Sequence, residues 1–294
     1  MKKLLAKIKL ISPLYILWII TILIVGIYSI HNLPFTPSFP YYSDLSAHYG
    51  RAVASFAHFN GIHYLRLIKH GYDDTGSQAF FPVYPFIIRT LTLGVFDPVY
   101  VAIIFNALCL LVSLIVTTSY LTKVQAKRFL LLFLTFPASF FLLANYTESF
   151  FILLVVLFFL FLQQKKYLLS AIIIVLLPQV IYRYLKIFLT ATPFSLLYLR
   201  AVWEFVTFVL SLVALYLYRN KMNLSASIFC LSAFLLPTLS GTFSSMPRYL
   251  IVAIPLFIAI SKNMTNRIFW PTIILQYGIL IITVALFVQG IFIA

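Results

Sequence analysis

The sequence predicts an all-α polytopic integral membrane protein, a single membrane domain over residues 1–294 with about nine spans. Three observations carry this. Hydrophobic residues make up 63% of the chain and charged residues 9%, with a mean hydropathy of +1.05; so little polar material cannot cover a soluble domain of this length. Apolar runs of about 17–25 residues recur throughout, the length that crosses about 30 Å of hydrocarbon as a helix. Strand-like alternation is absent, and lipid requires every backbone group to be satisfied internally, so the spans are helical.

The formal charge of +15 excludes less than it would in a soluble protein. Basic residues collect in the short gaps between spans, as the positive-inside rule expects, so the bilayer is the expected partner and nucleic acid is not. Cys109 and Cys230 lie within apolar segments, with no disulfide or metal spacing. The stretch from Met1 to Lys9 is basic, and the following apolar run reaches Ile30. That run is too long for a signal h-region and lacks a small-residue cleavage site. It reads as a retained first span, 11–30, with a cytoplasmic N-terminus. The expected location is a cell membrane, the plasma membrane of a bacterium or the endoplasmic reticulum of a eukaryote.

Residues 31–98 form an outer loop opened by Pro34, Pro37 and Pro40. Asp44, His48, Arg51, Ser55 and His58 recur at helical spacing, and Leu45, Tyr49, Ala52, Phe56 and Phe59 do so one position later. This predicts one amphipathic helix lying at the membrane surface. Asn60-Gly61 breaks it, and a second short helix runs from Ile62 to His70, stopped by Gly71. Residues 79–96 are apolar, but Pro82, Pro85, Arg89 and Gly94 favour a re-entrant or interfacial helix over a span. The remaining spans read 99–121, 129–145, 149–162, 167–182, 197–218, 223–241, 247–261 and 268–292. With 79–96 not crossing, Lys123, Lys127, Arg128, Lys165, Lys166, Arg219, Lys221, Lys262 and Arg267 are cytoplasmic. Arg183, Lys186, Arg200 and Arg248 then face outward; nine against four fits the charge rule and its reverse does not. The first loop, Tyr146–Ser149 and Ser245–Tyr249 then emerge on one outer face.

Six acidic residues are present: Asp44, Asp73, Asp74, Asp97, Glu148 and Glu204. Glu148 lies where two apolar runs meet, a depth at which a carboxylate costs about 2.5–3.5 kcal/mol and normally faces a cavity or partner; the alternative is a turn at the interface that leaves it solvated. Arg248 begins a span after Met246-Pro247, where a guanidinium can hold a phosphate through paired hydrogen bonds; the alternative role is an interfacial anchor. His48, His58 and His63 have no zinc-ligand spacing. Asp73-Asp74, flanked by Gly71, Gly76 and Ser77, reads as a solvated turn, with a divalent-cation site for Mg or Mn as the alternative. Tyr64, Tyr72 and Tyr84 can stack on a sugar. No Gly-rich nucleotide loop supports ATP or nucleotide-sugar chemistry on the cytoplasmic side.

Three linked stretches resemble the PIG-V-like mannosyltransferase family. The first is Phe59-Asn60-Gly61-Ile62-His63-Tyr64, Gly71-Tyr72 and Ala79-Phe80-Phe81-Pro82-Val83-Tyr84-Pro85. The second is Pro137-Ala138-Ser139-Phe140 with Tyr146-Thr147-Glu148-Ser149. The third is Pro237, Ser240-Gly241-Thr242 and Ser245-Met246-Pro247-Arg248-Tyr249. The resemblance covers most of residues 55–260 and implies a GT-C-like helical bundle, with the chain's size suggesting a bacterial relative. It implies transfer of a sugar from a polyprenyl-phosphate carrier, usually with inversion, to a glycan or glycolipid acceptor on the outer face. Arg248 would hold the donor phosphate, with Arg183 or Lys186 as helpers, Glu148 would act in catalysis by orienting the acceptor or a metal, and Tyr146 and Tyr249 would line the substrate site. The family has Trp-Asp where this chain has Phe59-Asn60. An amide cannot accept a proton at neutral pH, so Asn60 would position a hydroxyl while Asp44 or His63 supplies the base. The family's Thr-Arg-x-x-Gly element is also missing: Tyr167–Ala171 passes straight into an apolar run and Pro178.

Overall fold

The computed structural model describes residues 2–37, 42–71, 83–162, 196–235 and 246–291, and in them every regular element is a helix. The expected span 167–182 lies outside the described residues.

The chain opens with α1 (Lys2–Asn32). The first loop holds α2 (Tyr42–Ser46), α3 (Arg51–Ala54), a 3-10 turn (Ser55–Ala57), α4 (Asn60–His70) and α5 (Val83–Leu91). The single amphipathic helix expected from Asp44 to His58 is thus two short helices and a 3-10 turn. Gly50 interrupts it, standing extended at φ −60° and ψ 154° before α3; glycine is the residue that loses most entropy on entering a helix. The expected polar face is corrected too. Ser55 and His58 are buried, whereas Ala52 is exposed, because the segment turns its polar edge inward, where His58 Nδ1 lies 3.0 Å from the Phe287 carbonyl. Helix α4 ends as expected at Gly71, φ 81°. Helix α5 has nine residues, about 13 Å at 1.5 Å per residue. That described stretch is shorter than the hydrocarbon is thick.

Helix α6 (Pro98–Ser119) starts with the Asp97 carboxylate accepting from the Val99 amide at 2.8 Å and Pro98 in the first turn. It runs antiparallel to α1: Lys7 Nζ donates to the Thr118 and Leu121 carbonyls at its C-terminal end, at 2.6 and 2.9 Å. A capping box of Thr122 and Gln125 starts α7 (Lys123–Leu134). The continuous span expected over 129–145 is corrected here. Helix α7 stops at Leu134, Pro137 cannot donate to a further helical bond, and a 3-10 turn (Ser139–Leu142) leads to α8 (Glu148–Leu162).

Helices α9 (Leu196–Tyr218), α10 (Leu224–Leu235), α11 (Met246–Leu250), α12 (Ile254–Asn263) and α13 (Asn266–Val288) complete the described chain. The expected span 247–261 is also two pieces, α11 and α12. Pro255 has no amide proton for the Ile251 carbonyl and its ring crowds that carbonyl, so the helix restarts with the proline in its first turn. Helix α13 runs parallel to α1, with Thr21 and Tyr277 hydroxyls 2.8 Å apart and the Thr36 amide donating to the Gln289 carbonyl at 3.1 Å. Arg51 ties the first loop to this pair, donating to Gln289 Oε1 at 2.7 Å and stacking over Phe35. Phe257 of α12 meets Phe133 and Phe136 edge-on.

Four helical stretches are long and apolar enough to cross a membrane: Lys7–Asn32, Pro98–Ser119, Val202–Lys221 and Asn266–Val288. Their outer faces are apolar. Tyr100, Ile104, Leu108 and Val112 make an exposed stripe along α6, and Ile16, Ile20, Ile24 and Ile27 do so along α1. Stripes of this extent belong against lipid. The chain is a helical membrane protein with two chemically different ends. Lys7, Lys123, Lys221 and Lys262 gather where α6 ends and α7 and α10 begin. Asp97, Arg51 and the first loop gather at the other.

Candidate functional site

The irregular segment 135–147 is almost entirely buried, so each of its backbone polar groups needs a partner from within the protein. Side chains supply them. Asn106 Nδ2 donates to the Ala144 and Tyr146 carbonyls at 2.5 and 3.0 Å. Ser139 Oγ donates to Leu134, Ser149 Oγ to Leu142 and Thr283 Oγ1 to Pro137. The Asn145 amide donates to the Phe56 carbonyl at 2.7 Å, and Asn145 Nδ2 to that of Gly61 at 2.9 Å. Asn106 stands eight residues into α6, placing this segment about 12 Å inside the end capped by Asp97.

Those bonds dock the first loop onto the segment. Gly61 permits the approach: a Cβ there would stand 3.4 Å from the Asn145 carbonyl oxygen and 3.6 Å from the Tyr146 ring. His58 to Gly61 form a turn closed by the Gly61 amide on the His58 carbonyl at 3.0 Å. Phe59 occupies its second position at φ 52°, ψ −117°, the type II′ geometry that glycine normally takes. A phenylalanine held there stores about 1–3 kcal/mol of strain, and such strain clusters at functional sites. The turn sets Asn60 at the start of α4, where the Tyr146 hydroxyl donates to the His58 carbonyl at 3.0 Å and meets the Asn60 amide.

At the centre is a buried ion pair. Arg248 Nε lies 2.9 Å from Glu148 Oε1, with both residues under 10% exposed. The distance is short but the N–H is not aimed at the oxygen. Among the described residues, Arg248 Nε, Arg248 Nη1 and Glu148 Oε2 are buried without a hydrogen-bond partner. Aromatic rings surround the guanidinium: its carbon is 5.3 Å from the Tyr146 ring centre, 5.5 Å from Tyr249 and 5.7 Å from Phe141. Tyr249 also hydrogen-bonds Arg248. Tyr64 bonds Thr147 and feels the charges of both Glu148 and Arg248. Its ring stands edge-on to that of Tyr84, 5.3 Å away. The Tyr84 hydroxyl donates to Asn145 Oδ1 at 3.1 Å and accepts from Asn106 Nδ2 at 3.2 Å. Burial, then the Glu148 charge, pushes the Tyr64 phenol up to about 12. At neutral pH it donates hydrogen bonds and does not act as a base.

Of the residues singled out from sequence, Asn60, Tyr64, Tyr84, Tyr146, Glu148, Arg248 and Tyr249 are brought together. His63 sits one turn beyond Asn60 on α4 and is partly buried. Asp44 is exposed on α2, and among the described residues no hydrogen bond or ion pair joins it to Glu148 or Arg248. Tyr72, Arg183 and Lys186 lie outside the described residues, as does Asp73-Asp74. Asn106 and Asn145 were not singled out, although a buried amide inside an apolar run such as 99–121 is itself a signal. Among the described residues no three His, Cys, Asp or Glu side chains cluster, and Glu148 is already paired with Arg248, so these residues do not fit an Mg or Mn ion.

No protein-family model, curated protein or solved structure matches this chain. The family resemblance rests on the residues of its three signatures alone.

Proposed function

We propose that this protein is a membrane glycosyltransferase with a GT-C-like bundle of about nine spans. It takes a hexose such as mannose from a polyprenyl-phosphate carrier and passes it to a glycan or glycolipid acceptor at the outer face of the membrane. One observation carries the reading: a buried arginine whose Nη1 has no partner among the described residues, ringed by tyrosines and linked through Tyr146 to the strained turn that presents Asn60. A cation so placed can take the charge that builds on a departing lipid phosphate.

In the transfer, the acceptor oxygen bonds to the anomeric carbon as the bond from that carbon to the phosphate oxygen breaks. The electron pair leaves with the phosphate, which Arg248 receives, and the acceptor proton passes to a base. Inversion puts base and leaving group on opposite faces of the sugar. Glu148, 2.9 Å from the cation that holds the phosphate, is on the wrong side for a base; its role is to hold Arg248. Asn60 orients the acceptor hydroxyl. With Asp44 exposed on α2, His63 is the proton acceptor this reading assigns. His63→Ala then lowers transfer of labelled mannose from polyprenyl-phosphate mannose by about 10²–10⁴. Asn60→Asp added to that variant recovers part of it by restoring a carboxylate nearby. Undiminished transfer by His63→Ala would remove His63 from the mechanism.

A second reading has an observation of its own. The sequence shows no paired broken helices, the mark of a transporter for a lipid-linked sugar, yet the chain breaks after α7 and between α11 and α12, and α7 packs against α12 through Phe133 and Phe257. Proteoliposomes loaded with labelled donor separate the readings. New glycosylated acceptor indicates transfer, and donor appearing in the opposite leaflet without product indicates transport. Donor retention with neither outcome indicates a non-catalytic carrier-binding homologue.

A further inference from the structure

A cavity of about 230 Å³ opens at the basic end of the bundle, away from the Glu148–Arg248 pair, between α6, α8, α10 and α12. Lys221, Asn223 and Lys262 stand at its mouth, and Val155, Ile254 and Ile258 line its depth. From Lys262 to Ile254 is eight residues along α12, so the shaft runs about 12 Å inward. Both lysines are exposed, and among the described residues no carboxylate pairs with either. The acids among the described residues lie elsewhere: Asp97 caps the far end of α6, Glu148 opens α8 at its far end, Glu204 is in the first half of α9, and Asp44 is on α2.

We propose that this cavity binds an anionic glycerophospholipid of the leaflet that meets the basic end. Its phosphate lies between the Lys221 and Lys262 ammonium groups, Asn223 hydrogen-bonds the headgroup, and one acyl chain fills the shaft. Both chemistries are needed at once. A soluble anion leaves 12 Å of apolar wall, a length of about that size by helical rise, facing nothing that excludes water. A zwitterionic lipid carries its own countercharge and leaves two lysines without one. Basic pockets between membrane helices are suited to anionic headgroups for this reason.

The test uses the full chain in nanodiscs of phosphatidylcholine alone or with a minor share of phosphatidylglycerol. Native mass spectrometry reads the retained lipid and a thermal melt reads its effect. Phosphatidylglycerol is expected to be retained on the wild type and to raise its melting midpoint. K221Q/K262Q lowers that retention by roughly 30-fold, two near-surface lysine contributions, and removes the midpoint rise while melting like wild type in phosphatidylcholine. K123Q/K127Q takes the same charge from the same end, outside the cavity, and keeps the bound lipid. Equal loss in both double variants overturns the proposal in favour of general leaflet attraction. Equal retention of phosphatidylcholine overturns it in favour of an unselective groove. Release of the lipid by inorganic phosphate at modest concentration overturns it in favour of a soluble anion.

Discussion

At the residue scale, the Glu148–Arg248 pair separates structure from function. Breaking a buried pair by removing one partner costs about 3–5 kcal/mol because the remaining charge is stranded, whereas replacing both with apolar residues is often neutral. Glu148→Gln is therefore expected to lower the thermal midpoint in detergent and to reduce transfer about tenfold or more. The double variant E148L/R248M regains most of the midpoint but not the transfer. Wild-type transfer by the double variant would reduce the pair to packing. His58 gives a pH dependence. Burial first, then the Arg51 charge, hold its imidazole down to about 4 against an ordinary 6.5, with the Phe287 carbonyl opposing. The folded state thus binds fewer protons than the unfolded state between those values. Stability is complete above about pH 6.5 and falls as the pH drops toward about 4, by about 3 kcal/mol in total. His58→Gln should flatten that part of the melting-point profile; an unchanged slope assigns the dependence to another group.

At the element scale, the informative parts are the places where helices stop. The sequence of 129–145 is apolar enough to pass for one continuous span, and only Pro137 hints that its second half is not helical. Its irregular backbone is tolerable because Asn106, Ser149 and Thr283 satisfy its carbonyls, while Ser139 satisfies that of Leu134 at the end of α7. Asn106 and Thr283 come from far along the chain, so no local window reveals them. Asn106→Leu is expected to destabilise the protein by about 2–4 kcal/mol, since the Ala144 and Tyr146 carbonyls both lose a donor in a buried setting. Leu108→Ala, on the exposed stripe of the same helix, should change the midpoint little. Equal effects of the two would show that Asn106 caps nothing of consequence. The first loop breaks for a similar cause. Asp44 to His58 has helical spacing, but Gly50 and the docking of His58 beside Phe287 break the helix and turn its polar edge inward.

At the scale of the molecule, the two ends make a sidedness prediction. Cys109 and Cys230 are buried and can be replaced to give a cysteine-free background. A single cysteine at exposed Ser43 should then react with an impermeant thiol reagent in intact cells, and one at Gln125, in the capping box at the basic end, should not. The reverse pattern would invert the orientation and place the Glu148–Arg248 site on the cytoplasmic side.

Composition and hydropathy by themselves determined that the chain is helical and membrane-embedded, because lipid admits few other ways to satisfy a backbone this apolar. The order of the three signatures also made Asn60, Tyr146, Glu148 and Arg248 legible as candidates, since an acid and a base at the ends of apolar runs are costly enough to stand out. What only the tertiary structure decided is how those residues meet. The direct contact of Glu148 with Arg248, the strained turn under Asn60 and the Asn106 and Asn145 scaffold depend on bonds between segments tens of residues apart. Periodicity and spacing describe only a residue's near neighbours along the chain. A buried charge or carbonyl is satisfied by whatever the fold brings beside it.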